Sequence, residues 1–178
     1  SARGTHAEAF SAPVNVPGGV NSKAGEFSPA LSANMLTLMF STVRDGTGGE
    51  MDIWASTRNS IDEDFGPAIS LGHLVNSQAR DTSPCLSADG LELWFSSNRE
   101  GSVGARDLWG CRRSSRDVEF GPAKNAGPVI NSTGDEESPS LTSDGRYLLF
   151  ERQGSEENAD SLETIVVSRR LVHSANDD

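Results

Sequence analysis

One unit of sequence occurs three times in this chain, and each copy begins 55 residues after the copy before it. The unit starts as FSAPVNVPGG at Phe10, as FGPAISLGHL at Phe65 and as FGPAKNAGPV at Phe120. Further along, the same register repeats an asparagine, then a Ser-Pro dipeptide, then a phenylalanine, at Asn21, Asn76 and Asn131, at Ser28, Ser83 and Ser138, and at Phe40, Phe95 and Phe150. A fixed period of about this length indicates a repeat architecture in which each unit packs on the next.

Each unit has the pattern of four short strands separated by turn residues, which predicts an all-β fold. In the middle unit, Pro84 to Ser87 is the first strand, Asp89-Gly90 suits a tight hairpin, and Leu91 to Ser97 is the second strand. Asp107 to Trp109 is the third strand, and a stretch like Phe65 to Leu71 is the fourth. The second strand is apolar on both faces, as a strand stacked between two layers must be. We interpret the units as four-stranded antiparallel blades of a β-propeller.

The repeat divides the chain into a three-blade domain, residues 10–171, between flexible segments 1–9 and 172–178. Residues 10–26 are an orphan outer strand and its loop, and the blades are 27–81, 82–136 and 137–171, the last without a fourth strand. One extra residue in the last unit makes Thr164-Ile165-Val166 equivalent to Ile53-Trp54-Ala55.

The orphan strand and the missing strand are complementary. Because three blades are fewer than the roughly 4 to 8 that close a ring, we expect a homodimer with strand exchange. Two copies would then form one six-bladed ring, each copy's Phe10 strand completing the other's last blade. The alternative is that the chain is half of a longer natural propeller.

The charge of the chain argues against two classes of partner. With 26 acidic and 15 basic residues the formal charge is −11, which repels nucleic acid and anionic membrane surfaces alike. No run of 18 apolar residues predicts a membrane span, and no export signal is visible in the first residues. Because the chain opens on Ser1, that second observation leaves the compartment open.

The two cysteines lie in one predicted blade, Cys85 on its first strand and Cys111 at the end of its third. With the second strand between them, they should lie about 9–10 Å apart, which is too far for a disulfide. We therefore expect free, mostly buried thiols.

An acid stands two positions before each Ser-Pro dipeptide, at Glu26, Asp81 and Glu136. The first strand of a propeller blade is innermost, so these acids are expected at the channel mouth. A ring of like charges would raise the pKa of its members or bind calcium or another cation, a basic side chain or an amine. Alternatively, each acid pairs with an arginine such as Arg44 or Arg99.

Two further sets of polar residues recur with the repeat. Asn21, Asn76 and Asn131 precede the first strands, where they would offer amides to a ligand at the mouth or form Asx-turns with their own backbone. Arg44 and Arg99, together with Asp52 and Asp107, are expected to form structural ion pairs within or between blades.

The order of these landmarks resembles the TolB-type, WD-like Pro-Asp repeat of bacterial six-bladed propellers. The middle unit carries it best, as SPCLSADGLELWFSSNREG followed by Asp107-Leu108-Trp109. The first unit differs at its hairpin, with Asn34-Met35 in place of Asp-Gly, and the third lacks the tryptophan and has its arginine at Arg152. The resemblance implies a periplasmic or extracellular, non-catalytic interaction module.

The sequence offers little for catalysis, since it has no Gly-x-Ser-x-Gly, no His-Glu-x-x-His and no phosphate-binding glycine loop. We expect a module without a cofactor that engages a protein, peptide or cationic ligand at the channel mouth, with a cation at the acidic ring as the one metal site to consider. One alternative is a propeller glycosidase or lyase acting on a polysaccharide, which would need a unique acid and base rather than repeated positions. The other is a purely structural assembly role.

Overall fold

The fold was examined in a computed structural model, which describes residues 10–44, 49–154 and 163–171. The flexible ends predicted for 1–9 and 172–178 lie outside these residues. The described residues form three antiparallel sheets, one for each repeat, which confirms the all-β, three-blade prediction. Among them no helix is long and apolar enough to cross a membrane.

Each sheet is a meander in which neighbouring strands follow one another in the chain, and we call the sheets blade 1, blade 2 and blade 3. Blade 1 contains β1 (Glu26–Leu31), β2 (Thr37–Thr42), β3 (Asp52–Thr57) and β4 (Ile69–Ser70). Blade 2 contains β5 (Asp81–Leu86), β6 (Glu92–Ser97), β7 (Asp107–Arg112) and β8 (Lys124–Asn125). Blade 3 contains β9 (Asp135–Leu141), β10 (Tyr147–Gln153) and β11 (Thr164–Arg169).

The inner strands begin earlier than the sequence predicts, because the Ser-Pro dipeptide is a β-bulge within the strand rather than its boundary. In β5 the pairing register shifts between Thr82 and Cys85, and Ser83 has a positive φ of 54°. Ser28 and Ser138 adopt the same conformation, at 48° and 53°. A bulge inserts one residue and interrupts the alternation of side chains by which a strand is recognised. The sequence pattern therefore placed the start of the first strand at the proline.

The hairpin of blade 1 keeps the geometry of the others although it lacks their glycine. Met35 has a φ of 60°, close to the 75° of Gly90 and the 67° of Gly145. Asn34 replaces the aspartate, since its Oδ1 accepts hydrogen bonds from Ser32 Oγ at 2.8 Å and from the Leu36 amide at 3.2 Å. The Asn-Met sequence therefore changes the residues of this turn but not its shape.

The alignment predicted for β11 is wrong by one residue. Phe150 pairs with Val166 as Phe40 pairs with Trp54, so Ile165-Val166-Val167 is equivalent to Ile53-Trp54-Ala55. The link before β11 is thus two residues longer than in blade 1. A register slip of one residue would turn each side chain of the strand to the opposite face of the blade.

The hydrophobic core lies between the blades. Blades 1 and 2 bury Met39, Ile53, Leu93, Phe95 and Trp109 in one cluster, and blades 2 and 3 bury Leu108, Leu148 and Phe150 in another. Blade 2 is therefore covered on both faces, as its second strand predicts. Cys85 and Cys111 are free thiols, and burial raises the pKa of Cys111 to about 12.

Candidate functional site

The three repeated acids lie at the start of the inner strands, and each one forms an ion pair with an arginine that follows or ends the second strand of its own blade. The pairs are Glu26 with Arg44 at 2.6 Å, Asp81 with Arg99 at 2.5 Å and Glu136 with Arg152 at 2.8 Å. The side chains of Asp81 and Glu136 are fully buried, and that of Glu26 is 17% exposed. Of the two expectations for the acids, the structure thus shows the pairing with arginine.

Each arginine also binds the segment that leads into the blade. Its Nη2 donates to the backbone carbonyl of the residue before the repeated asparagine, at 2.6 Å in each case: Arg44 to Val20, Arg99 to Val75 and Arg152 to Ile130. The guanidinium lies over a phenylalanine ring of the second strand, 5.0 to 5.4 Å from the centroid, and in blades 1 and 2 also over a tryptophan. One side chain therefore fixes the inner strand, the preceding loop and the aromatic core together.

A serine beside each acid completes its hydrogen bonding. Asp81 Oδ2 accepts from the Ser77 amide at 2.6 Å and from its hydroxyl at 2.9 Å, and Ser22 and Ser132 make the corresponding pairs of bonds to Glu26 and Glu136. Burial acts to raise the pKa of Glu26, but the hydrogen bonds from Ser22 and Arg44 outweigh it and hold the pKa below 4.5. A cation at these acids would have to compete with a guanidinium already in place.

Arg152 occupies a different chain position from the other two arginines but binds the equivalent acid and backbone carbonyl. It stands two residues before the position that the 55-residue period predicts, and it lies opposite Glu136 in the β9–β10 register. Residues two apart on a strand point to the same face, so the shifted arginine still reaches the acid. The period alone misses this pairing, whereas the period combined with strand alternation finds it.

The buried asparagines, Asn76 and Asn131, bind the third strand of the blade they follow. Asn76 Oδ1 accepts from the Ile53 amide at 2.8 Å, and its Nδ2 donates to the Ile53 carbonyl at 2.9 Å. Asn131 makes the same two bonds to Leu108, at 2.9 and 3.0 Å, and both asparagines are 3% exposed. The Asx-turn expectation placed the partner within the asparagine's own loop, but the partner lies 23 residues earlier. The asparagine side-chain amide thus extends the hydrogen bonding along the third strand beyond the residues that pair with the short fourth strand.

Asn21 has a different environment from the two buried asparagines. It is exposed, and its Nδ2 donates to the Val16 carbonyl at 3.0 Å. Among the described residues, no third strand precedes it in the chain.

Asp107 does not take the arginine partner that the sequence suggested. Arg99 turns toward β5, while Asp107 lies on the other side of β6, at the start of β7. There Asp107 accepts from the amides of Val103 and Gly104, at 2.8 and 3.0 Å, and from Asn125 Nδ2 at 2.6 Å. Asp52 is buried at the equivalent start of β3.

The exposed residues at and before the start of the inner strands carry hydroxyl, amide and ammonium groups. Ser28 and Ser138 are exposed at their bulges, and the Oγ atoms of Ser28 and Ser83 lie 3.5 Å apart across blades 1 and 2. The loops before the inner strands expose the equivalent residues Lys23, Gln78 and Thr133. Within the described ranges, no group of three or more His, Cys, Asp or Glu side chains is arranged to hold a metal ion.

Comparison with known proteins places the fold. No family model matches this sequence, and no curated protein matches it. Two solved structures are similar over most of the chain: TolB from Acinetobacter baumannii, with a TM-score of 0.53 and 14% identity over 80% of this chain, and the putative TolB from Agrobacterium tumefaciens, with a TM-score of 0.51 and 20% identity over 77%. The chain spans 29% and 41% of the length of those two proteins. In fold, the chain is a β-propeller similar to the two TolB structures.

Proposed function

We propose that this chain is a non-catalytic binding and scaffolding module that engages a protein or peptide at the channel mouth. The observation that carries the proposal is the strained serine in each inner strand. Ser28, Ser83 and Ser138 all have positive φ, between 48° and 54°. A non-glycine residue held there costs on the order of 1–3 kcal/mol, and such strain concentrates at ligand-contacting sites. The strain recurs in all three blades, next to the mouth and with a side-chain hydroxyl available for hydrogen bonding.

The ion pairs favour a protein or peptide over a free cation. A cation bound directly to Asp81 or Glu136 would displace a guanidinium from a fully buried carboxylate. Separating a buried pair in this way costs about 3–5 kcal/mol. The acids and buried asparagines thus have a structural role in holding the strands and loops at the mouth. The contact surface we propose consists of the three serines and the neighbouring exposed loop residues.

The repetition of the site favours binding over turnover. A polysaccharide-cleaving enzyme needs two carboxyl groups in distinct states, one acid and one base or nucleophile. Here the acids at the mouth are three equivalent groups with equivalent arginine partners. The TolB-type fold is consistent with a bacterial periplasmic or extracellular location, which we include in the proposal.

A peptide library with a matched pair of variants tests the proposed face. Random 12-residue peptides displayed on phage would be selected on the wild-type chain, and their affinities measured for two double variants. Gln78→Arg with Thr133→Arg alters two exposed loops at the mouth, and Ala33→Arg with Ser143→Arg alters exposed hairpins at the other end of the inner strands.

We expect selected peptides to lose at least about tenfold in affinity for the mouth variant and to bind the hairpin variant as they bind wild type. Equal binding to both variants, or no enrichment at all, would contradict the proposal. A rise in the melting temperature with about 5 mM calcium would instead support a cation at the acids.

A further inference from the structure

The outer edge of blade 3 is uncovered where the other blades are covered. In blades 1 and 2 the third strand is flanked by a short fourth strand and by the amide of the buried asparagine. Ile53 and Leu108, which receive that amide, are 0% exposed, whereas the equivalent Ile165 in β11 is 72% exposed. Val167, two residues further along, is 61% exposed. Among the residues that the structure describes, blade 3 therefore presents an apolar face and a strand edge without the neighbour that its repeats have.

The segment from Phe10 to Asn21 has the residues that cover this edge in the other blades. Phe65 and Phe120 are 9% and 5% exposed, whereas the equivalent Phe10 is fully exposed. In blades 1 and 2 this phenylalanine lies under an arginine just beyond the third strand, with Arg58 and Arg113 each 4.5 Å from the ring centroid.

Arg170 is the blade 3 equivalent of these arginines. Its backbone amide donates to Arg146 O, as Arg58 N donates to Leu36 O and Arg113 N to Leu91 O. Among the described residues, no aromatic ring lies under Arg170, and its guanidinium binds Glu92 at 2.8 Å. The equivalents of Phe10 and Arg170 are thus in contact in blades 1 and 2, whereas Phe10 and Arg170 themselves are apart.

Val20 and Leu31 show the same incomplete arrangement at blade 1. Val75, the equivalent of Val20, packs in one cluster with Ile53 of its own blade and with residues of blade 2. Val20 packs on Leu38 and Phe40, but no counterpart of Ile53 is present in that cluster. Leu31 is 50% exposed, whereas its equivalent Leu86 packs in the cluster that blades 1 and 2 share.

Among the described strands, β11 contacts only β10, so its outer edge has no strand neighbour. Of the inner strands, β1 contacts β5 and β5 contacts β9, while β1 and β9 make no contact. Val20 is fixed to blade 1 by Arg44, so the segment before it lies on the far side of blade 1 from blade 3. Within one copy, residues 10–21 therefore do not reach the edge of β11.

We infer that a second copy of this chain docks its residues 10–21 on β11 and the exposed face of blade 3, and that the exchange is reciprocal. Phe10 of one copy then stacks under Arg170 of the other, and Asn21 bridges the backbone of Ile165. Because each copy supplies one strand and one edge, two identical interfaces close a ring of six blades about a twofold axis. Six blades lie within the usual range of about 4 to 8 for closed propellers.

One position departs from the pattern. Pro17 stands where Gly72 and Gly127 have φ values of 72° and 80°, and proline cannot adopt them. Gly18 takes a positive φ of 86° one residue later, so the turn before Val20 is built differently. The experiment therefore relies on Phe10 and Ile165, which lie away from that turn.

A complementation experiment tests the exchange. Phe10→Asp disrupts the docking segment that each copy supplies, and Ile165→Asp disrupts the face of β11 that receives it. Both side chains are exposed in the single chain, so the folded monomer should tolerate either change. Ile61→Asp, at another exposed isoleucine outside the interface, is the matched control. Masses would be measured by sedimentation equilibrium at about 20 µM, with circular dichroism to verify folding.

We expect the wild type and the control at twice 18.9 kDa, and each interface variant at 18.9 kDa. An equimolar mixture of the two variants should regain dimer, because the edge of the Phe10→Asp copy and the strand of the Ile165→Asp copy remain intact. A monomeric wild type would overturn the inference and favour closure by further repeats of a longer chain. Dimeric variants, or a folded mixture that stays monomeric, would also overturn it, since the copies would then associate elsewhere or not by this exchange.

Discussion

At the scale of single residues, each blade is organised around one arginine that joins three parts of the chain. Arg99 binds a buried carboxylate, lies with its guanidinium over the Phe95 ring and donates a hydrogen bond to the carbonyl of Val75. Asp81 has no exposed side-chain surface, so its charge depends on this partner and on Ser77. A buried pair contributes little net stability when intact, but removing one member leaves an uncompensated charge.

Replacing Arg99 with alanine should therefore strongly destabilise the chain. The expected loss is about 3–5 kcal/mol in the free energy of unfolding, measured by urea denaturation. Arg146→Ala is the control, because its pair with Asp144 is long, at 3.9 Å, and exposed. That variant should lose less than about 1 kcal/mol. Equal losses in the two variants would show that burial of the pair is not what matters.

The pH dependence of stability should include a contribution from Glu26. Its pKa in the folded chain lies below its ordinary value of 4.5. The ionised carboxylate therefore stabilises the fold above about pH 4.5, and this contribution is lost as the pH falls through the folded pKa. Unfolding free energies of wild type and Glu26→Gln should differ at about pH 7 and converge as the pH falls below the pKa of Glu26 in the folded chain. A difference that stayed constant across this range would mean that the charge of Glu26 is not involved.

The period of the repeat was sufficient to select the important polar positions, but it left the acids with two alternative roles and did not reveal the partner of Asn76. Glu26, Asp81 and Glu136 stood out because they recur every 55 residues. The Asn76 partner lies 23 residues earlier in the chain, across a fourth strand of only two residues, and no local pattern links the two. Contacts between strands depend on register, which bulges and link lengths set.

At the scale of strands and turns, the repeats preserve backbone shape more strictly than sequence. Met35 takes the left-handed conformation of Gly90 and Gly145 because the hairpin needs it, and Asn34 supplies the side-chain oxygen that Asp89 supplies elsewhere. The bulges at the Ser-Pro dipeptides repeat in the same way. The sequence predicted the hairpins from turn chemistry but could not reveal the bulges, since a bulge leaves no alternation to detect.

Met35→Gly should stabilise the chain. The left-handed conformation costs a non-glycine residue roughly 1–2 kcal/mol, while glycine adds about 0.4–1 kcal/mol of unfolded-state entropy. The side chain of Met35 is 45% exposed and contributes little packing, so we expect a net gain of about 0.5–1 kcal/mol in urea denaturation. Gly145→Ala is the converse variant, expected to lose about 1 kcal/mol, since its Cβ would meet only Arg170 Nη1, at 3.7 Å. A destabilised Met35→Gly would mean that the methionine side chain has a packing role.

At the scale of the whole molecule, three repeats were enough to predict the architecture. Identities of 14% and 20% to the TolB structures show that the fold tolerates wide divergence in sequence. The sequence also predicted complementary ends, but the partners that we propose for them, Arg170 for Phe10 and Ile165 for Asn21, could be assigned only through the register of β11. That register depends on a link two residues longer than in blade 1. The repeat pattern does not determine the length of this link.

The charge of the chain should give the proposed ring of two copies a characteristic response to salt. Each copy has a formal charge of −11, so two copies repel one another, while the proposed contacts at Phe10, Ile165 and Val167 are apolar. The Debye length falls from about 30 Å at 0.01 M salt to about 8 Å at 0.15 M, which screens the repulsion. The dimer dissociation constant should therefore fall severalfold over this range, as measured by sedimentation equilibrium. Exposed-surface changes Asp62→Asn and Asp117→Asn, which reduce the charge from −11 to −9, should flatten that dependence. A dimer that weakens steadily as salt is added would instead indicate that ion pairs hold the interface, and the apolar edge of β11 would not be its main contact.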